Sequence, residues 1–205
     1  MYLSRLKMDI SRRATREFLI NHYQLHLAVY RAFPDAADGG PGRVLYRVDQ
    51  SEQSAVLFVQ SEKKPDWTKA EILCNGLLVS PECKLFSPNI QAGQTLFFYT
   101  RANPTIRQSS TGRRIGITNE ADQLAWLKRK GEDGGFAVVG CQIMSDGVSC
   151  DDKGFEDKDK LRHFGVRFSG FLDVTDQEKF MKTLESGLGS SKGFGFGLLS
   201  LAPAR

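Results

Sequence analysis

The chain has no long hydrophobic run. Its 205 residues are 40% hydrophobic, yet charged and polar residues interrupt every apolar stretch before it reaches the length of a signal peptide or a membrane span. We therefore expect a cytoplasmic protein with no membrane partner. A chain of this length forms one medium domain or two domains of roughly 100 residues, and either can bury a hydrophobic core.

The sequence also lacks the common signatures of metals and cofactors. Its four cysteines, Cys74, Cys83, Cys141 and Cys150, show neither C-x-x-C spacing nor neighbouring histidine pairs, which argues against a zinc site and a disulfide framework. We expect reduced, structural thiols. Neither G-x-x-x-x-G-K-[ST] nor a G-x-G-x-x-G between a strand and a helix is present, so nucleotide cofactors are disfavoured and no cofactor is predicted.

A glycine-rich segment near the C-terminus is the most informative feature that is present. Residues 187–203 read G-L-G-S-S-K-G-F-G-F-G-L-L-S-L-A-P, with five glycines around Lys192. Because ordering glycine costs more conformational freedom than ordering any other residue, this density predicts a positive φ or a close approach of the backbone to another group. The N–H groups of Gly193, Gly195 and Gly197, with the Lys192 ammonium, can hold a phosphate. A flexible surface turn is the alternative.

Positive charge is local in this sequence. The net charge is only +4, but residues 5–16 hold five basic side chains against one acidic, and residues 101–119 hold four arginines and no acidic residue. Such a stretch is usually a solvated surface. Together with the glycine-rich segment, the two stretches resemble the footprint of a nucleic-acid-binding protein.

The order of predicted elements repeats once along the chain. Apolar spacing and turn residues give, in the first half, strand 2–8, helix 21–33, strands 43–48 and 54–60, a weak helix after Pro65 and strand 84–87. The second half gives strand 95–102, helix 118–130 ended by Gly131, strands 136–143 and 163–173, a helix from the capping box 175–178 to Gly187, and strand 198–202. We predict an α+β protein of two tandem ferredoxin-like domains, 1–90 and 91–205, each with β-α-β-β-α-β order.

Two further features concern how such a protein would bind RNA. Residues 146–160 alternate Asp, Lys and Gly, which predicts a mobile charged loop inside the second domain. Four-stranded sheets of this topology commonly stack bases on aromatic signature motifs, and those motifs are not evident here. Recognition by basic side chains and the glycine-rich segment is therefore expected, which favours a structured RNA over a splayed single strand.

The candidate chemistry lies in N-H-Y-Q-L-H, residues 21–26. Asn21 followed by Gln24 predicts a helix N-terminus at Asn21. Tyr23 and His26, at i and i+3, then share one face near a helix end that favours anions, where they can address one phosphate.

Each of these residues also has a structural interpretation. His22 and His26 stand at i and i+4, but the glutamate of H-E-x-x-H and a third ligand are missing, so no metal site is predicted. Tyr23 can be a core aromatic, because Leu27 and Tyr30 continue its face, and His26 can be an interior histidine. His163 follows Arg162 in a predicted strand, where a packed or RNA-contacting role is expected.

Five short segments resemble one protein family. They are residues 1–4 (M-Y-L-S), 23–26 (Y-Q-L-H), 101–104 (R-A-N-P), 125–130 (A-W-L-K-R-K) and 195–203 (G-F-G-L-L-S-L-A-P). Each is weak alone, but their order and spacing over nearly the whole chain are specific. The chain resembles the CasE family, the CRISPR-associated endoribonucleases of type I-E Cascade, which cut the precursor CRISPR transcript within its repeat hairpins.

The resemblance implies an activity and its site. It implies tandem ferredoxin-like domains, a stem-loop RNA on a basic surface, and metal-independent cleavage by an N-terminal histidine that corresponds to His26, with Tyr23 beside it. The RNA 2′-OH attacks the neighbouring phosphate, which leaves a 2′,3′-cyclic phosphate and a 5′-OH. His26, with a reference pKa of about 6.5, is the expected acid–base, and Tyr23, with a reference pKa of about 10, orients or donates.

Basic residues are expected to support the phosphate and the RNA body. Lys192 and Arg31 are candidates for stabilising transition-state charge. Some family members have lysine where Arg31 lies; arginine cannot exchange protons, so only an electrostatic role is expected, and a five-residue spacing turns Arg31 off the His26 face. The predicted RNA contacts are Arg101, Arg107, Arg113, Arg114, Lys128, Lys130, Lys160, Arg162, Gly193, Gly195 and Gly197.

Two functions from different classes remain open. In the first, the protein processes precursor CRISPR RNA and stays on the mature RNA as a partner of other Cascade subunits. In the second, it is a non-cleaving RNA-binding scaffold on the same fold. Tyr23 and His26 favour the enzyme, because a scaffold needs no acid–base residue. A histidine-metal nuclease acting on DNA is disfavoured by the missing ligands.

Overall fold

The chain folds into two compact α+β units. The computed structural model of the protein describes residues 1–110, 112–151 and 161–204, with the backbone alone for 149–151, 161 and 162. The first unit contains Met1–Ser87 and Gly193–Gly195, and the second contains Pro88–Cys150, Arg162–Lys192 and the residues from Phe196 onward. No helix in these described residues combines the length and the apolar character that crossing a bilayer needs.

The first unit is a four-stranded antiparallel sheet with helices. Its elements are β1 (Tyr2–Met8), α1 (Arg13–Ile20), α2 (His22–Tyr30), β2 (Val44–Gln50), β3 (Ala55–Ser61), α3 (Glu71–Cys74) and β4 (Glu82–Leu85). The strand order β2-β3-β1-β4, with each neighbouring pair antiparallel, is that of a ferredoxin-like domain. Helix α1 was not predicted; its N-cap, Arg12, forms no side-chain cap hydrogen bond.

Burial fixes the orientation of α2 in this unit. Leu25, Ala28 and Val29 of α2 are buried in the same apolar cluster as Leu6 of β1 and Leu57 of β3. The i, i+3, i+4 spacing makes these three residues one stripe of the helix. His26 directly follows Leu25 and therefore lies beside the stripe, where it is half-buried.

The second unit repeats the same topology. Its elements are β5 (Thr95–Ala102), β6 (Thr105–Arg107), β7 (Arg114–Gly116), α4 (Glu120–Gly134), β8 (Phe136–Asp151), β9 (Leu161–Val174), α5 (Gln177–Ser186) and β10 (Leu199–Pro203). The sheet order is β10-β5-β9-β8, and β6 and β7 form a separate hairpin. Five fully buried phenylalanines form much of the core: Phe98, Phe136, Phe168, Phe180 and Phe196. The prediction of tandem ferredoxin-like folds is confirmed.

The predicted end of α4 at Gly131 is wrong. The helix continues to Gly134 and ends at Gly135, which has a φ of 77°. Gly131 therefore lies inside the helix. The residue there is glycine because the backbone of Phe136 passes close to it: a Cβ would lie 2.5 Å from the Phe136 carbonyl oxygen. A packing requirement, which the sequence alone does not display, thus explains this glycine.

Two other local predictions are also corrected. The N-cap of α5 is Asp176 rather than Thr175, because the Asp176 carboxylate accepts the Lys179 backbone N–H at 3.0 Å. The predicted loop at 146–160 is wrong for Asp146–Asp151, which form the end of β8; the remaining residues lie outside the described part of the chain. Asp146 instead pairs with Arg167 of β9, the neighbouring strand, and with Arg101 of β5, the strand beyond it.

The described cysteines are free thiols. They are Cys74, Cys83 and Cys141, and the side chain of Cys150 lies outside the described structure. Burial raises the pKa of the Cys141 thiol to about 11, which keeps it protonated and unreactive near neutral pH.

Candidate active site around His26

Helix α2 begins where the sequence predicted. Asn21 is its N-cap, and the Asn21 side chain accepts the Gln24 backbone N–H at 3.0 Å. This cap satisfies one of the N–H groups that a helix end leaves without an intrahelical partner. It also fixes the start of the helix, so that His26 lies in its second turn.

The His26 ring is held by a backbone carbonyl of the glycine-rich segment. Its Nδ1 lies 2.7 Å from the carbonyl oxygen of Gly193, a residue that belongs to the first unit. A carbonyl oxygen only accepts hydrogen bonds, so Nδ1 is the donor and carries the proton. In the neutral ring Nε2 is then the unprotonated nitrogen, and it is the atom that can take a proton from another group.

A second donor reaches the same carbonyl oxygen. The hydroxyl of Tyr46, in β2, donates to the Gly193 oxygen at 2.8 Å. The Tyr46 side chain is completely buried, and a buried phenol hydroxyl normally requires such a partner. A carbonyl has two lone pairs, so Gly193 can accept from Tyr46 and His26 together.

Two aromatic rings limit the orientation of the imidazole further. The Tyr30 ring, one turn along α2, has its centroid 4.2 Å from that of His26, and Phe194 has its centroid at 5.4 Å. Burial raises the pKa of the Tyr30 hydroxyl, so Tyr30 stays neutral near pH 7. Gly193 also lies close, since a Cβ there would stand 3.4 Å from Nδ1. The segment thus supplies a hydrogen-bond acceptor and a ring contact to one histidine.

Most of this environment was not foreseen from the sequence. Tyr46 lies in the strand V-L-Y-R-V, where alternation predicts an ordinary core aromatic, and its hydroxyl contact is formed with a residue 147 positions away. Tyr30 was considered only as a continuation of the Tyr23 face. The density of glycine was the one signal that pointed to the segment contacting His26.

The other predicted site residues on α2 are placed as follows. Tyr23 lies one turn before His26 and is half-buried, and Leu27 is exposed, so the face is not a core stripe. Arg31 directly follows the helix as its C-cap and is exposed. Lys192 belongs to the second unit, and it immediately precedes Gly193 in the chain.

Two of the predicted phosphate-binding glycines are also required by the local backbone conformation. Gly195 has a φ of +83°, and a Cβ there would stand 3.2 Å from the Tyr46 ring. Gly197 has a φ of +86°, and a Cβ there would stand 2.4 Å from the Leu188 carbonyl oxygen. Both glycines are buried, so backbone conformation and internal packing explain why these positions are glycine. Gly193 is partly exposed and contacts His26.

A basic cleft of about 370 Å³ lies in the second unit. Its lining includes three of the basic residues that were predicted to contact RNA or its scissile phosphate, which are Arg114, Lys130 and Lys192. Asp133 also lines the cleft, and its carboxylate lies 3.7 Å from the Lys130 ammonium. Three positive groups against one negative group give the cleft a net positive charge, which suits a phosphate.

The remaining predicted RNA contacts fall into three groups. Arg101 is only 17% exposed, with its Nε 2.7 Å from Asp146 Oδ2 and its guanidinium 4.5 Å from the Phe196 ring centroid, so it already has partners inside the unit. The exposed cations are Arg107, Arg113 and Lys128; Arg107 donates to the Gly112 carbonyl. Lys160 and the side chain of Arg162 lie outside the described structure.

His163 is a packed histidine. It is 4% exposed, its Nδ1 lies 3.1 Å from the Ser191 hydroxyl, and its ring lies 5.4 Å from that of Phe196. Across residues 1–110, 112–151 and 161–204, no three His, Cys, Asp or Glu side chains come together in a group that could hold a metal ion.

Fold and site together define a tandem ferredoxin-like protein in which a backbone carbonyl holds one histidine ring by its Nδ1. Residues 1–203 match the protein family described as "CRISPR associated protein". The chain belongs to the Cse3/CasE family of CRISPR-associated endoribonucleases.

The relatives match along their whole length. The chain is 35% identical to the CRISPR-associated endoribonuclease Cse3 of Thermus thermophilus, covering 99% of this chain and 100% of the relative. It is 29% identical to the Cascade subunit CasE of Escherichia coli, with the same coverage. A solved structure of Cse3 bound to a 19-nucleotide RNA has a TM-score of 0.86 at 34% identity, covering 99% of this chain and 100% of that one.

Proposed function

We propose that this protein is a metal-independent endoribonuclease that cleaves precursor CRISPR RNA at the base of the repeat stem-loop. It then stays bound to the mature CRISPR RNA as a Cascade subunit. The observation that carries the proposal is the His26 ring, whose Nδ1 faces the Gly193 carbonyl and whose Nε2 is therefore the proton-exchanging atom. Full-length relatives that are named as endoribonucleases and Cascade subunits support it.

The proposed reaction is a transesterification. The 2′-oxygen beside the scissile phosphate attacks phosphorus, a 2′-O–P bond forms, and the bond from phosphorus to the 5′-oxygen breaks. The 2′-hydroxyl proton passes to Nε2 of neutral His26. A proton must also reach the departing 5′-oxygen, and the Tyr23 hydroxyl is the proposed donor. The products end in a 2′,3′-cyclic phosphate and a 5′-OH.

Positive charge is proposed to stabilise the transition state and to hold the RNA. The phosphorane-like state gains negative charge on its oxygens, and Arg31 and Lys192 are the proposed electrostatic partners. Since arginine keeps its proton, Arg31 acts by charge alone. The proposed phosphate contacts along the stem are Arg107, Arg113, Arg114, Lys128 and Lys130, with Lys160 and Arg162 as further predictions.

The test is cleavage of a labelled repeat hairpin from the same locus, in a chelator, with mapping of both product ends. Wild type is expected to cut at one position and leave a cyclic phosphate. His26→Ala is expected to bind the hairpin and to lose about a hundredfold or more in rate, the usual contribution of an acid–base group. His22→Ala, four residues earlier on the same helix, is the matched control. Tight binding without cleavage by wild type would establish the scaffold instead.

A further inference from the structure

Tyr46 contacts the glycine-rich segment at two points. Its hydroxyl donates to the Gly193 carbonyl at 2.8 Å. Its ring also packs where Gly195 has no side chain, since a Cβ there would stand 3.2 Å from Cε2 of Tyr46. Tyr46 is fully buried in β2 and belongs to the apolar core of the first unit. The contacts therefore attach residues 193–195 to the sheet.

We infer that Tyr46 is a positioning residue for His26: it holds the Gly193 carbonyl in the place where that oxygen keeps the imidazole proton on Nδ1. The inference rests on the proposed function of His26. Tyr46 does not touch the reacting atoms in this account, and it acts through one carbonyl oxygen that accepts from both side chains.

The same oxygen explains why the arrangement has to be held. A histidine selects its tautomer through the hydrogen bond that one ring nitrogen forms. If the Gly193 carbonyl moves away, nothing in this contact prevents the proton from residing on Nε2, and a ring in that form cannot take a proton through Nε2. Tyr30 and Phe194 restrict the ring plane, but ring contacts do not distinguish the two nitrogens.

Tyr46→Phe removes the hydroxyl and keeps the ring against Gly195. The Gly193 carbonyl still has His26 as a donor, so the change leaves no buried acceptor without a partner, and the variant is expected to fold. We expect the single-turnover cleavage rate to fall about fivefold, the factor that corresponds to one hydrogen bond of about 1 kcal/mol. Affinity for the hairpin is expected to stay within about twofold, because no RNA contact is removed.

The experiment combines this rate with a direct measurement of the tautomer. Nitrogen-15 NMR of the histidine rings, at about pH 8 where imidazole is neutral, reports which nitrogen carries the proton, and His26→Ala identifies the His26 signals. Wild type should show the proton on Nδ1, and Tyr46→Phe should show a smaller fraction there. Tyr46→Met, which also lacks the donor, must change rate and tautomer in the same direction. Tyr2→Phe, the same substitution in β1, is the control and should match wild type.

The outcomes separate this inference from the proposed function. A wild-type tautomer in both Tyr46 variants overturns the inference, whatever their rates, because a merely structural role would slow cleavage without moving the proton. A fall in hairpin affinity that accounts for the slower rate also overturns it. Absence of cleavage by wild type, or undiminished cleavage by His26→Ala, refutes the proposed function alone, since the tautomer measurement needs no activity.

Discussion

Asp146 holds two arginines of the second sheet, and replacing it should destabilise that unit measurably. Its Oδ2 lies 2.7 Å from Arg101 Nε, and its Oδ1 lies 2.7 Å from Arg167 Nε. The side chains of Asp146 and Arg101 are 11% and 17% exposed, whereas that of Arg167 is 47% exposed. The perturbation we consider is Asp146→Asn, which keeps the shape of the side chain and removes its charge.

The expected loss follows from the burial of Arg101. Removing one partner of a buried ion pair costs about 3–5 kcal/mol, because the other charge stays buried and uncompensated. Asparagine retains one acceptor oxygen, Arg167 can reach water, and the Phe196 ring still faces the Arg101 guanidinium. We therefore expect the lower end of that range, a loss of about 3 kcal/mol in the free energy of unfolding.

Urea denaturation followed by circular dichroism measures this loss. The matched control is Asp133→Asn, since Asp133 pairs with Lys130 at 3.7 Å and is 68% exposed; an exposed pair contributes below about 1 kcal/mol. Adding Arg101→Met to Asp146→Asn should recover part of the loss, because the unpaired buried charge is then gone. Equal losses in Asp146→Asn and Asp133→Asn would refute the reasoning that makes Arg101 a structural residue.

Three other measurements test separate parts of the account. Hairpin affinity should fall steeply with salt, and Arg114→Gln should reduce the slope of log K against log salt by about one. The control Lys69→Gln should leave that slope unchanged. A salt-insensitive affinity would contradict a phosphate-bound RNA. Gly197→Ala should lower the free energy of unfolding by about 2 kcal/mol or more, and with it the thermal midpoint, because of its φ of +86° and the nearby Leu188 carbonyl. Gly140→Ala, whose Cβ would have no packing neighbour within 4 Å, should be nearly neutral. The Lys179 backbone N–H lowers the pKa of Asp176, so the stability from this cap is present above the unfolded pKa of about 4 and is lost as pH falls through the lower folded pKa. Asp176→Asn should therefore flatten the dependence of the free energy of unfolding on pH in that range. An unchanged pH dependence would count against the cap.

The elements that the sequence predicted well are those with a local signal. Strands β1 and β5 have the predicted bounds because apolar and polar residues alternate along them. Helix α2 begins after Asn21 because that side chain caps it. The resemblance to the CasE family pointed to His26 because the Y-Q-L-H motif is itself local.

The parts that the sequence did not predict depend on contacts between distant residues. The Gly193 carbonyl, Tyr46 and His26 come from three separated segments, and no spacing in the chain links them. Arg101 was predicted to contact RNA because it begins a basic stretch, and its ion pair with Asp146, 45 residues later, has no signal in the sequence. A glycine after a helical pattern predicts a helix end at Gly131, whereas the close approach of Phe136 that explains this glycine has no signal in the sequence.

The measurement that tests the central claim most directly is cleavage of a repeat hairpin with a single 2′-deoxy nucleotide at the scissile position. It is performed in chelator beside the all-RNA hairpin, with wild type and with His26→Ala. We predict that wild type binds both hairpins, cuts only the all-RNA one and leaves a 2′,3′-cyclic phosphate, and that His26→Ala cuts neither at a comparable rate. Cleavage of the 2′-deoxy hairpin would contradict attack by the 2′-oxygen, and undiminished cleavage by His26→Ala would contradict His26 as the acid–base residue.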